Sequence, residues 1–200
     1  MTAGSRAWAG VTALLAALAL LSWPVQTEAL DWQPALAFNQ PWRAFTAVGV
    51  HYSVLHLGAN LAGVALAGVF GVVARVPPRM AVAWLAAWPL TQLGLLAKPS
   101  LLHYGGLSGV VHAGVAVVIV SVLVDGTRAQ RWVGCAVSIG FCAKLLSEAP
   151  WREALRHPAT WDIAVAPVAH TSGAIAGVVC ALLAIWVSPT ARQRRTRRST

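Results

Sequence analysis

A chain of 200 residues with 58% hydrophobic and only 10% charged side chains cannot clothe a water-facing surface, since a soluble domain carries roughly 25% charged residues. Lipid must solvate much of it. The net charge of +9 does not mark a nucleic-acid binder: Arg192, Arg194, Arg195, Arg197 and Arg198 crowd the tail and the other basic residues stand at the ends of apolar runs, so no folded basic face is available for a phosphate backbone.

In chain order, the runs 7–23, 53–74, 80–97, 107–124, 130–147 and 166–187 predict six transmembrane helices, each near the roughly 20 residues that a bilayer requires. Pro24 closes the first run. A signal peptide is the alternative there, because Arg6 precedes a short apolar stretch; Trp23-Pro24-Val25-Gln26 offers no small-x-small cleavage site, so the run is read as a retained helix. Residues 24–52 form a long outer loop rich in Trp and Pro. Arg75, Pro77, Pro78 and Arg79 separate the second and third runs, and Lys98-Pro99, Asp125-Gly126 and Glu148 with Pro150 close the third, fourth and fifth. Ser188-Pro189 closes the sixth.

Arg6, Arg75 with Arg79, Arg128 with Arg131, and the tail lie at alternate connections. By the positive-inside rule these are cytoplasmic, and residues 24–52, 98–106 and 148–165 face the periplasm. The expected architecture is an all-α membrane protein of six transmembrane helices in a bacterial inner membrane, with both termini cytoplasmic. Residues 1–190 form one membrane domain, and residues 191–200 a basic tail suited to anionic lipid headgroups. Cys135, Cys142 and Cys180 lack CxxC spacing and paired His ligands, and read as buried free thiols.

Polar residues inside the spans are costly unless they face the bundle interior, and four clusters qualify. Gly106-Leu107-Ser108-Gly109 opens the fourth span at its outer end. It reads either as a glycine-rich helix start with a capping Ser, or as an exposed nucleophile beside unpaired backbone N–H groups. His170 precedes Gly173 and Gly177, a small-residue stripe that lets a neighbouring helix approach closely; a packing motif with an incidental His is the plainer reading. His56 and Asn60 stand one turn apart, as oxyanion donors or as an interhelical hydrogen bond. His112 follows Ser108 by four, which suits a packing or orienting role better than that of a base aimed from a facing helix. Ser108, His170, His56 and Asn60 all fall in the outer halves of their spans, as covalent acyl transfer requires. No acidic residue lies in these spans, which points to a Ser–His dyad.

With Trp42-Arg43 in the first outer loop, His56-x-x-x-Asn60, Gly106-Leu107-Ser108-Gly109 and His170-x-x-Gly173-x-x-x-Gly177, in that order, the chain resembles the rhomboid family of intramembrane serine proteases. The resemblance covers about residues 40–187. The run from His103 to His112 looks like the rhombosortase branch, in which a His follows the Ser by four, although Gly105 stands where that branch carries Arg. The resemblance implies Ser108 as nucleophile and His170 as base. It implies Asn60, His56 and the backbone at Gly106 and Ser108 as the oxyanion site. His112 would stack on His170, with Gly109, Gly173, Gly177, Trp42 and Arg43 in support. It implies no metal or cofactor, and a partner that is a transmembrane-helix protein with a small-residue cleavage site. The alternatives are a catalytically inactive rhomboid-like binder of transmembrane helices, a transporter or metal carrier using its histidines, and a lipid-directed acyl hydrolase.

Overall fold

The computed structural model describes residues 1–25 and 27–188; Gln26 and residues 189–200, with Pro189 and the basic tail, lie outside the described residues. The elements are α1 (Ala3–Ser22), α2 (Thr27–Leu30), α3 (Arg43–Thr46), α4 (Val54–Val73), α5 (Pro78–Leu93), α6 (Ser108–Asp125), α7 (Arg128–Ser147) and α8 (Pro167–Trp186), with 3₁₀ turns at Pro34–Leu36, Ala47–Gly49 and Gly94–Ala97. Isolated backbone bridges pair Trp32 with Tyr104 and Arg156 with Val165.

Among the described residues, five helices are long and apolar enough to cross a membrane: α1, α4, α5 with its 3₁₀ extension to Ala97, α6 and α8. The protein is therefore a multi-pass membrane protein. The fifth predicted span differs. Residues 128–147 form a helix of 20 residues, but Arg128, Arg131 and Lys144 interrupt its apolar character. Only Gly134 of α7 is buried, where it meets Val122 and Leu123 of α6. Cys135 and Cys142 are exposed on this loosely packed helix, against the expectation of burial; Cys180 on α8 is buried, and all three are free thiols.

The helices begin and end for local reasons. The hydroxyls of Thr2, Ser53 and Thr127 accept N–H groups at the starts of α1, α4 and α7, satisfying donors that a helix start leaves open. Pro78 and Pro167 start α5 and α8, where the missing N–H costs nothing. Pro89 sits inside α5, and a 3₁₀ turn follows at Gly94.

α6 is central. Its buried face runs from Gly109 to Val122, and it packs on α4, α5, α7 and α8. On one side Trp84 of α5 fills the space left by Gly114 and donates its indole N–H to Val110 O at 2.8 Å. Trp8 of α1 stacks on Trp84 at 4.4 Å and donates to Ala67 O of α4 at 3.0 Å. These two bonds satisfy buried indole donors that would otherwise weaken the core. On the other side the backbones of α6 and α8 nearly touch. A Cβ at Gly173 would meet the Gly109 carbonyl, and one at Gly177 the Ala113 carbonyl. Small residues at this spacing allow such an approach, and it brings the first turn of α6 beside the first turn of α8.

Candidate active site

Ser108 is the first residue of α6, and the segment that delivers it is tied to the loop between α1 and α4. Trp32 and Tyr104 exchange two backbone hydrogen bonds, 2.7 and 2.8 Å, and Gly106 N–H donates to Ala47 O at 2.9 Å. Gly106 has φ +116°, a conformation that a side chain resists. Any Cβ there would lie 2.6 Å from His56 Nε2. Gly106 thus acts through its missing side chain. Its N–H is committed to Ala47, which corrects the expectation of an oxyanion donor at this residue.

Trp42 and Arg43 lie in that same loop, away from the cavity described below. Trp42 is half exposed, whereas Arg43 is buried. Arg43 Nη1 donates to Asp31 Oδ1 at 3.2 Å, Asp31 O at 2.8 Å and Glu28 O at 3.0 Å. The second carboxylate oxygen of Asp31 pairs with His103 Nδ1 at 2.7 Å. One buried carboxylate therefore joins the loop to the segment before Ser108.

A cavity of about 730 Å³ opens at one end of the helix bundle, lined by His56, Asn60, Ser108, His112, Lys144, Glu148 and His170 among others. The four clusters read from the sequence thus face one space. Asn60 Nδ2 donates to His56 O at 3.0 Å, which leaves its second N–H open. His56 Nδ1 accepts from Tyr52 N–H at 3.4 Å, so its proton belongs on Nε2, the atom nearest Gly106. The first N–H groups of a helix have no intrahelical acceptor. That of Gly109 goes to Tyr104 Oη at 3.4 Å, while that of Ser108 donates to no described residue.

Ser108 Oγ lies 3.5 Å from Tyr104 Oη and makes no hydrogen bond with His170. Burial raises the pKa of the Tyr104 phenol, which keeps it a neutral donor. His170, nearly buried, stacks against His112 with ring centroids 4.3 Å apart and planes 15° apart. His112 Nδ1 meets Ser108 O at 2.6 Å, and its Nε2 lies 2.5 Å from Lys144 Nζ.

The expectation of a dyad with no acid nearby needs correcting. Glu148 Oε2 lies 2.7 Å from His170 Nδ1, and Glu148 Oε1 lies 3.0 Å from Lys144 Nζ. Burial pushes the Glu148 carboxyl pKa up, but the hydrogen bonds and charges of His170 and Lys144 outweigh it and hold the group at about 2. Glu148 is therefore a carboxylate at neutral pH. In the sequence Glu148 reads as the close of the fifth run, and Lys144 lies unremarked within that run. Their i,i+4 spacing at the end of an apolar run, level with Ser108 and His170, is the signal that could have found them. Tyr104 carried no such signal, because its role depends on the turn through Gly105 and Gly106.

Fold and site together define a multi-pass membrane protein that gathers a serine, two stacked imidazoles and a carboxylate at one end of its bundle. A rhomboid domain matches residues 38–187. The chain belongs to the rhomboid family, whose members are generally intramembrane serine proteases. Comparison with curated proteins finds no significant match.

Proposed function

We propose that this chain is an intramembrane serine endopeptidase, with Ser108 as nucleophile and His170 as general base. The observation that carries the reading is the convergence of Ser108, His170, His56 and Asn60 on one cavity. In the apo state a nucleophile–base bond is often long and tightens only on substrate binding, so the engagement of Ser108 Oγ with Tyr104 agrees with a resting site.

The chemistry follows from the geometry. A substrate helix unwinds at small residues and presents a scissile carbonyl in the cavity. Ser108 Oγ bonds to the carbonyl carbon while its proton passes to His170 Nε2. The oxyanion is held by the Ser108 N–H, the free N–H of Asn60 and His56 Nε2–H. The C–N bond breaks as His170 returns the proton to the leaving nitrogen. Water, deprotonated by His170, then cleaves the ester and restores the serine.

The reading extends to topology and substrate. α7 serves as the fifth of six spans, its charges lying towards its two ends and Lys144 turned into the site. Residues 1–190 form the membrane domain, with both termini cytoplasmic and the cavity opening to the periplasm of a bacterial inner membrane. The run from His103 to His112 favours rhombosortase-like substrates, which end in a small-residue motif, a transmembrane helix and a basic tail; cleavage would release them for sorting to the surface.

The test is labelling of the detergent-purified protein by a fluorophosphonate probe, in the wild type and in the Ser108→Ala and His170→Ala variants. Labelling that needs both residues is the expected result. A folded wild type that is never labelled would move the reading to an inactive binder of transmembrane helices.

A further inference from the structure

Glu148 caps the C-terminal end of α7, where an acid paired with Lys144 four residues earlier would ordinarily be a surface ion pair of little consequence. Its second contact changes that. One carboxylate oxygen holds Lys144, and the other meets the ring of nearly buried His170. From there a continuous chain of polar contacts runs through Lys144 and His112 to the carbonyl of Ser108.

One assignment of protons satisfies every link. A carbonyl oxygen only accepts, so the His112 Nδ1 facing Ser108 O carries the proton. An ammonium only donates, so His112 Nε2 accepts from Lys144. A carboxylate only accepts, so His170 Nδ1 donates to Glu148. In this state His112 has no free lone pair and cannot serve as the base, whereas His170 keeps an unprotonated Nε2. The competing state is also visible: Lys144 Nζ lies 3.0 Å from His170 Nδ1. If the ammonium donated there, the imidazole proton would move to Nε2 and the base would lose its lone pair. Glu148 and Lys144 thus favour opposite tautomers of one ring.

We propose that Glu148 is the positioning residue of His170, accepting its Nδ1 proton and thereby selecting the tautomer able to deprotonate Ser108, while Lys144 is drawn off to His112 and the other carboxylate oxygen. This proposal rests on the reading of Ser108 and His170 as nucleophile and base. When the serine proton arrives on Nε2, the same carboxylate stabilises the imidazolium without itself taking a proton.

The test compares Glu148→Gln and Glu148→Asp by their rates of fluorophosphonate labelling, with Ser108→Ala and His170→Ala as controls. Gln has the shape of Glu but presents an amide that donates to Nδ1 and imposes the wrong tautomer. In soluble serine proteases such an amide costs about 10⁴-fold. The expected result is a loss of about 10²–10⁴-fold in Glu148→Gln and a much smaller one in Glu148→Asp, which keeps the acceptor. A merely structural role predicts the reverse ranking, because Gln preserves the packing that Asp shortens. Glu148→Gln labelling within threefold of wild type, while both controls are silent, would overturn the proposal and leave the dyad standing. Labelling that survives in Ser108→Ala would overturn the dyad, and the proposal with it. If Glu148→Gln does not fold, ¹⁵N spectra of the wild type at neutral pH decide the matter, with the His170 signals assigned by their absence in His170→Ala. A proton on Nδ1 is expected, and a proton on Nε2 overturns the proposal.

Discussion

Replacing Gly173 by Ala should separate the nucleophile from its base while adding only one methyl group. A Cβ at this position would lie 2.7 Å from the carbonyl carbon of Gly109 and closer still to its oxygen. Ordinary van der Waals contact begins near 3.4 Å, so the carbon alone demands a retreat of about 0.7 Å and the oxygen demands more. The obstacle is backbone on α6, one residue from Ser108, and no rotamer change can relieve it. α8 must move away from α6 by roughly 1 Å and carry His170, one turn from Gly173, with it. A misplacement of that size costs about 10²-fold in rate, and overpacking costs about 1–3 kcal/mol in stability. Fluorophosphonate labelling and thermal unfolding in detergent measure the two effects. Gly58→Ala and Gly140→Ala are the controls, since a Cβ at either site meets nothing within 4 Å; both should label like wild type. Gly173→Ala that labels at the rate of these controls would refute the coupling of helix separation to reactivity.

Two further outcomes follow from the segments that precede α4 and α6. Tyr104→Phe removes the acceptor of the Gly109 N–H and the neighbour of Ser108 Oγ; it should cost about 1 kcal/mol of stability and leave labelling at the same order. A fall to the level of His170→Ala would instead give the phenol a part in the chemistry. Arg43→Ala leaves Asp31 buried, with His103 and Gln33 among its remaining side-chain partners. Breaking a buried pair costs roughly 3–5 kcal/mol, and these remaining partners place the expected loss at the lower end, read as a lowered unfolding midpoint. An unchanged midpoint would mean that the loop does not depend on this ion pair.

The family and the membrane class were legible in the sequence because both rest on local features. Apolar runs of bilayer length must become helices in lipid, where every backbone polar group needs an internal partner. The polar residues that interrupt those runs must be satisfied within the bundle, so Ser108, His170, His56 and Asn60 stood out. The stripe of Gly173 and Gly177 likewise announced a close helix contact through spacing alone, and the contact falls on Gly109 and Ala113. The fifth run was less legible, since its charges look the same in sequence whether they end a span or enter a site.

What only the tertiary structure decided concerns partners. Whether the Gly106 N–H is free depends on where Ala47 lies, nearly sixty residues earlier in the chain. Whether Glu148 is a surface charge or a partner of His170 depends on α7 ending beside the start of α8. Tyr104 reaches Ser108 because a turn through two glycines, pinned by the bridge to Trp32, folds it back. A sequence fixes which donors and acceptors a chain owns and how far each sits from its neighbours along one helix. Hydrogen bonds act over about 3 Å, and which groups come within that reach across separate helices is determined by packing.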